Sequence, residues 1–216
     1  MYEEIISKNT LFSGLSSEDT KYTLSFFDAS LARFEKGEIL ARAGEPLTRF
    51  GLVIRGNVQV CMEDFDGNSI IMAIVTPGHT FGESLCFIGN ESPVNIYAMS
   101  DTELLWLKTD RIKEHGCDKR DALIKDRFIS MLATRTLEMN DRIQILSKIK
   151  LRDRLITYFS QNVSRYGTSF KLPLSREDMA AYLGTDRSAL SRELGKMRDE
   201  GIIEFERNCF KIKRRI

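Results

Sequence analysis

The stretch from Leu174 to Phe205, LSREDMAAYLGTDRSALSRELGKMRDEGIIEF, reads as two short helices joined by a tight turn. Ser175, followed three residues later by Asp178, opens the first helix as a capping box would, with the acid at the helix's positive end. Met179 and Leu183 form its apolar face, and Gly184 supplies the backbone freedom for the turn. Asp186 is a natural N-cap for the second helix, whose Leu190, Leu194 and Met197 fall at i, i+4 and i+7 on a core-facing side. The opposite stripe, Ser188, Ser191, Arg192 and Gly195 with Arg187 beside it, is small, polar and arginine-bearing. Small residues let a helix enter a major groove, where arginine can make a bidentate contact to guanine O6 and N7. Gly201 stops the helix, and Ile202–Phe205 and Cys209–Ile212 read as two strands around Glu206-Arg207-Asn208. Helix, turn, helix and hairpin predict a winged helix–turn–helix with a DNA partner. The competing reading is a helical pair inside an ordinary domain.

Charge supports the first reading. The 216-residue chain has a formal net charge of only +1, yet residues 149–216 carry 15 Lys and Arg against 9 Asp and Glu, a surplus of six. The remaining 17 basic against 22 acidic residues leave residues 1–148 at −5. A basic C-terminal part on an acidic N-terminal part suits a phosphate-binding module attached to something that does not bind nucleic acid. The run from Lys211 to Arg215 adds to that field or serves as a solubilising tail. No apolar run approaches the ~20 residues needed to span a membrane, and the N-terminus has acids where a secretion signal carries positive charge, so a cytoplasmic location is expected. Cys61, Cys86, Cys117 and Cys209 are scattered without metal-ligand spacing and are expected to be reduced, mostly buried thiols.

Residues 1–30 look helical, with a helix start at Ser16-Ser17-Glu18-Asp19. From Phe34 to Leu107 short β-type runs alternate with glycine turns: Gly51–Ile54, Asn57–Met62, Ser69–Val75, Val94–Met99 and Glu103–Trp106, with Asp66-Gly67 as a hairpin signal. Such spacing predicts a sandwich or jelly roll. From Asp118 to Ile149 a long helical pattern follows, with Phe128, Met131, Leu132, Met139, Ile143 and Leu146 approximating a 3–4 spacing. The expected fold class is α+β: a β-roll domain with N-terminal helices over 1–115, a long helix over 116–148, and the winged module over 149–216.

FEKGEILARAGEP (34–46) and GLVIRGNVQVCMEDFDGNSIIMAIVTPGHTFGES (51–84) resemble the effector domain of the CRP/FNR regulator superfamily, and the C-terminal module resembles that family's DNA-binding domain. The resemblance covers nearly the whole chain. It implies a homodimer joined by parallel copies of the long helix through the six apolar residues just named, with a hinge near Lys148–Leu151. A helix packed only on its own domain is the alternative. A twofold dimer would set two recognition helices in successive major grooves, about 34–36 Å apart. The resemblance also implies DNA contacts at Arg187, Ser188, Ser191 and Arg192, with Arg192 on a guanine, and Ser175, Lys196 and Arg207 are added as flanking contacts. Ser191-Arg192 matches the fumarate–nitrate type of recognition helix, whereas Ser188 replaces the glutamate that many relatives set against cytosine. RNA polymerase is the further partner that such a regulator implies.

Cyclic-nucleotide-binding relatives hold the ribose with a Gly-Glu pair and the phosphate with an Arg-Ser pair. This chain keeps Gly82-Glu83 but has Ser92-Pro93-Val94 where the Arg-Ser pair should stand. A phosphate there would lack its bidentate guanidinium, and proline offers no N–H. An effector other than a cyclic nucleotide is therefore expected. Because some relatives bind organic acids or aromatic compounds between roll and long helix, Glu83, Asn95, Tyr97, Arg135 and Asn140 are the candidate effector contacts. A cyclic-nucleotide- or haem-dependent regulator, with His79 as axial ligand, is the alternative; an iron–sulfur sensor lacks its cysteines, and His115 with Cys117 makes at most an isolated pair. No cofactor or metal is expected. Two histidines 36 positions apart, and no nucleophile or phosphate-loop motif, give no catalytic constellation, so the chain is not expected to be an enzyme.

Overall fold

The computed structural model describes residues 2–63, 69–114, 118–172 and 174–214. Asp66-Gly67, His115, Cys117 and Arg215 lie outside the described residues. The chain forms two compact units, Met1–Arg135 and Thr136–Ile216.

The first unit opens with α1 (Tyr2–Ile6) and α2 (Ser17–Phe26), the latter capped by the Ser16 hydroxyl, which accepts the Asp19 amide at 3.0 Å. The strands are β1 (Ser30–Phe34), β2 (Ile39–Ala41), β3 (Phe50–Arg55), β4 (Val58–Glu63), β5 (Ser69–Val75), β6 (Thr80–Phe81), β7 (Asn95–Ala98) and β8 (Thr102–Leu107), with α3 (Glu83–Ile88) between β6 and β7. They pair antiparallel in two four-stranded sheets, ordered β1-β8-β3-β6 and β2-β7-β4-β5, which is the expected roll. Strand alternation turns Val53, Val58, Ile96 and Leu104 into one interior, where Trp106 meets Phe34 and Phe81 edge-on at ring distances of 6.4 and 5.6 Å.

A second cluster holds the helices against the roll. Phe27, Phe50 and Phe128 form an aromatic triangle with ring distances of 5.6, 5.9 and 6.1 Å, and Leu11, Phe12, Leu52, Leu107 and Ile124 surround it. Ile124 and Phe128 come from α4 (Lys119–Leu146), so this helix belongs to the roll's own core. Phe128, 1% exposed, and Met131, 6% exposed, are thereby excluded from the expected dimer seam, because their side chains are already consumed within the protomer. The residue that sequence reading passed over is Ile129, 62% exposed one position along. Its heptad series continues through Leu132, Thr136, Met139, Ile143 and Leu146.

The second unit takes in the end of α4, then α5 (Leu151–Tyr166), β9 (Ser169–Lys171), α6 (Arg176–Tyr182), α7 (Arg187–Asp199), β10 (Ile203–Glu206) and β11 (Cys209–Ile212). Its core joins Ile145 to Leu155, Phe159, Leu183, Leu190, Leu194, Met197, Ile203 and Phe210. The sheet runs β10-β11-β9, antiparallel throughout. The two units divide inside α4, while the helical break between α4 and α5 falls at residues 147–150. Ile145 is fully buried in the second core, Asp141 forms an ion pair with Arg165, and the Asp141 carbonyl accepts Gln161 at 3.0 Å. Among the described cysteines Cys61 and Cys86 are buried, but Cys209 sits at an outward position of β11 and is exposed.

Phe128→Ala is expected to lower stability by about 3–5 kcal/mol, since it removes one of the three rings of the aromatic triangle. Guanidinium unfolding read at two protein concentrations checks this, and a core residue gives the same loss at both.

Candidate nucleic-acid interface and effector site

The local sequence fixes the shape of the basic module. Ser175 and Asp178 make a complete capping box: the Ser175 hydroxyl accepts the Asp178 amide at 3.1 Å, and the Asp178 carboxylate accepts the Ser175 amide at 3.1 Å. The same hydroxyl also donates to the Asp178 carboxylate at 2.6 Å, so Ser175 is committed to the cap. Gly184 adopts the left-handed backbone, at φ 64°, that ends α6 and turns the chain into α7. Asp186 then caps α7 by accepting the Ala189 amide at 2.7 Å. That bond holds the Asp186 carboxyl below the ordinary carboxylate range, so its contribution is present above the unfolded value and is lost as pH falls through the lowered one.

Leu190, Leu194 and Met197 are fully buried, which orients α7 and leaves Arg187, Ser188, Ser191 and Arg192 exposed on its other side. Arg152, Arg165 and Arg198 of this unit enter ion pairs, whereas among the described residues Arg187 and Arg192 enter none. Lys196 stands further along, 4.0 Å from Glu193. Gly195 lies on the outward stripe, and a Cβ placed there would meet nothing within 4 Å. Glycine in mid-helix costs about 1 kcal/mol relative to alanine, so packing within the protomer does not explain it. It keeps that side of the helix low.

The wing is anchored from two sides. Arg176, at the first position of α6, lies over Phe205 and Phe210 at 5.1 and 5.4 Å and donates to the Arg207 carbonyl at 2.7 Å. Burial lowers its pKa. Asn208 donates from Nδ2 to the Leu172 carbonyl at 2.7 Å, and its own carbonyl accepts the Leu172 amide at 2.9 Å. Arg207 itself sits at the wing turn with φ 52° and an exposed side chain. Arg176 and Asn208 were not singled out as functional in the sequence; a charged residue at a helix's first turn carries no signal of an aromatic neighbour thirty residues away.

In the roll, Gly82 opens α3 at φ 81°, and a Cβ there would come within 2.3 Å of Leu47. Glu83 follows, buried, accepting a hydrogen bond from the Thr80 hydroxyl. The Thr80 carbonyl accepts the Arg135 guanidinium at 3.0 Å. Glu83 and Arg135 are therefore brought together through Thr80, a residue the sequence reading did not name. Asn95 and Tyr97 do not join them. Alternation along β7 buries Ile96 and Ala98 in the roll, setting Asn95 and Tyr97 on the other face, and the Asn95 Oδ1 accepts the Ala43 amide at 2.9 Å. Asn140 is an exposed residue of the second unit. Ser92 is buried with its hydroxyl donating to the Val94 carbonyl at 2.8 Å, while its backbone bonds Glu45 and Gly44 at 2.8 Å each. The polar groups of Ser92 are thus taken up by Val94, Glu45 and Gly44. His79 is exposed, its Nδ1 3.1 Å from the Thr76 hydroxyl within the same turn.

Two family models match the chain: a cyclic nucleotide-binding domain over residues 31–114 and a Crp-like helix-turn-helix domain over 149–215. The cyclic AMP receptor protein of Thermus thermophilus is 28% identical over 194 residues, covering 89% of this chain and 87% of that protein. The global nitrogen regulator of Nostoc sp. is 22% identical over 189 residues, 84% of each. The solved structure of FixK2 from Bradyrhizobium japonicum superposes with a TM-score of 0.64 at 24% identity, covering 87% of this chain and 93% of that one. Among the described residues no helix is long and apolar enough to cross a membrane.

Proposed function

Since this chain belongs to the CRP/FNR family of transcription regulators, we propose that it acts as a homodimer on a twofold-symmetric DNA operator, under the control of a small-molecule effector other than a cyclic nucleotide. It works in the cytoplasm, with RNA polymerase as its further partner. The observation that carries the reading is α7, whose buried leucines turn two arginines outward without ion-pair partners among the described residues. Arg192 reads a guanine, Arg187 and Lys196 meet backbone phosphates or flanking bases, Ser188 and Ser191 allow close approach, and Arg207 reaches DNA from the wing.

The dimer rests on the heptad series of α4. Ile129, Met139 and Ile143 are each 62% exposed, a degree of exposure that a lone helix of this length does not ordinarily tolerate in a row of large apolar side chains. Parallel pairing of two such helices would cover them.

For the effector, the relative from Thermus thermophilus is by its name a cyclic AMP receptor, which favours the alternative. Against it stand the missing guanidinium and a Ser92 hydroxyl already spent on Val94. The Glu83, Thr80 and Arg135 group supports recognition of a ligand with both donor and acceptor groups, an organic acid among them.

Three outcomes test this. Arg192→Ala should weaken operator binding by about 1–3 kcal/mol per half-site and relax preference at one base pair; unchanged affinity and preference in a binding titration would remove Arg192 from the interface. Ile143→Glu should convert a dimer into a monomer in sedimentation, and a variant that stays dimeric places the seam elsewhere. Cyclic AMP and cyclic GMP at millimolar concentration should leave the melting temperature unmoved. A ligand at 100 times its Kd would stabilise by about 2.7 kcal/mol, so a rise of several degrees would restore the cyclic-nucleotide reading.

A further inference from the structure

The turn between α4 and α5 and the turn between α6 and α7 are held by one side chain. Arg154, in the first turn of α5, donates from Nε to the Lys148 carbonyl at 2.7 Å and from one terminal nitrogen to the Leu183 and Gly184 carbonyls at 3.0 Å each. All three acceptors lie at or just beyond helix ends, where carbonyls have no partner in their own helix and carry partial negative charge. A guanidinium suits them because its planar fork fixes several donors in set directions, which a single ammonium on a flexible stem cannot do. Gly184 abuts the same place: a Cβ on it would stand 3.3 Å from the Arg154 guanidinium and 3.4 Å from Leu146, the last residue of α4. Two residues further along, Asp186 caps α7. Nearby Arg152 reaches α7 itself, with Nε 3.7 Å from Glu193 and a second nitrogen bonded to Glu200.

We propose that Arg154 is a positioning residue that sets the spacing between operator half-sites, by locking the helix–turn–helix turn to the end of α4. The inference rests on the dimeric DNA-binding reading above. If α4 carries the twofold axis, the angle between its end and α7 fixes how far apart the two recognition helices stand. With α7 itself, about 20 Å long, as the lever, a tilt of about 10° shifts its far end by about 3.5 Å, close to the ~3.4 Å step between base pairs. A clamp that holds this angle therefore selects one spacing.

The experiment uses the full-length chain. The operator is first selected from random DNA with the wild type. Affinity is then measured on that operator and on versions with the central spacer one base pair longer or shorter. The wild type is expected to discriminate against the altered spacers by about tenfold or more, each base-pair step rotating one half-site away from its helix. Arg154→Lys should reduce that discrimination to about two- to threefold while keeping base preference within each half-site and nearly the wild-type melting temperature. Arg154→Gln, able to donate to one of the three carbonyls, is read in parallel and should behave alike. Unchanged spacing discrimination in either folded variant overturns the proposal. So does loss of half-site base preference together with melting temperature, or failure of both variants to fold, since either makes Arg154 a residue of folding and not of spacing. A wild type that selects no twofold operator overturns the dimeric DNA-binding reading itself.

Discussion

One helix supplies apolar side chains to two separate cores. Near its start α4 gives Ile124 and Phe128 to the cluster behind the roll, and near its end it gives Ile145 to the winged module. A helix presents a fresh direction every 100° or so, which lets it serve different neighbours at different heights without breaking. Both units need it. The roll's aromatic triangle lacks its third ring without Phe128, and the module would lack part of its floor without Ile145. Between those two duties, Ile129, Met139 and Ile143 stay exposed along one face.

That sharing explains where sequence reading succeeded and where it slipped. The winged module was legible almost residue by residue, since its caps, its glycine turn and its i, i+4, i+7 leucines are all local signals. The roll was legible as a class, and β5 and most of β4 matched expectation, because Val and Ile runs between glycines carry a strand signal. The strands β2 and β6, at three and two residues, are too short for any period to register. In α4 a 3–4 spacing marks an apolar stripe but does not say which neighbour takes it. Phe128 and Met131 go to the core while Ile129, one position away, faces out, and only the placement of α2 and the roll decides between them.

The candidate effector group was half legible for a related reason. Gly82-Glu83 stands out as a pair, but the acid's partner is Thr80, two residues before the glycine, in a strand that has no pattern of its own. Asn95 and Tyr97 were chosen for polarity, and strand alternation put both on the wrong face. In the roll, then, a polar residue's chemistry is visible in sequence before its direction is. The closed turn at Ser92 follows the same logic. Pro93 removes an N–H, and the neighbouring hydroxyl bonds to the Val94 carbonyl and amide, so the local backbone consumes a group that would otherwise face a ligand.

The open row on α4 also bears on how the protein comes to exist in quantity. A single chain that has folded both its units still displays Ile129, Met139 and Ile143, each more than half exposed, along one face of one helix. If a second copy covers that face, as in the proposed dimer, the rate of covering rises with the chain's own concentration, and until then the face is open to chaperones and proteases. Survival of newly made protein then becomes second order in synthesis. At low expression nascent chains would be cleared before they meet, and at higher expression they would persist. For the proposed dimer, cellular abundance would then respond more steeply than in proportion to transcription of its own gene, without any ligand taking part.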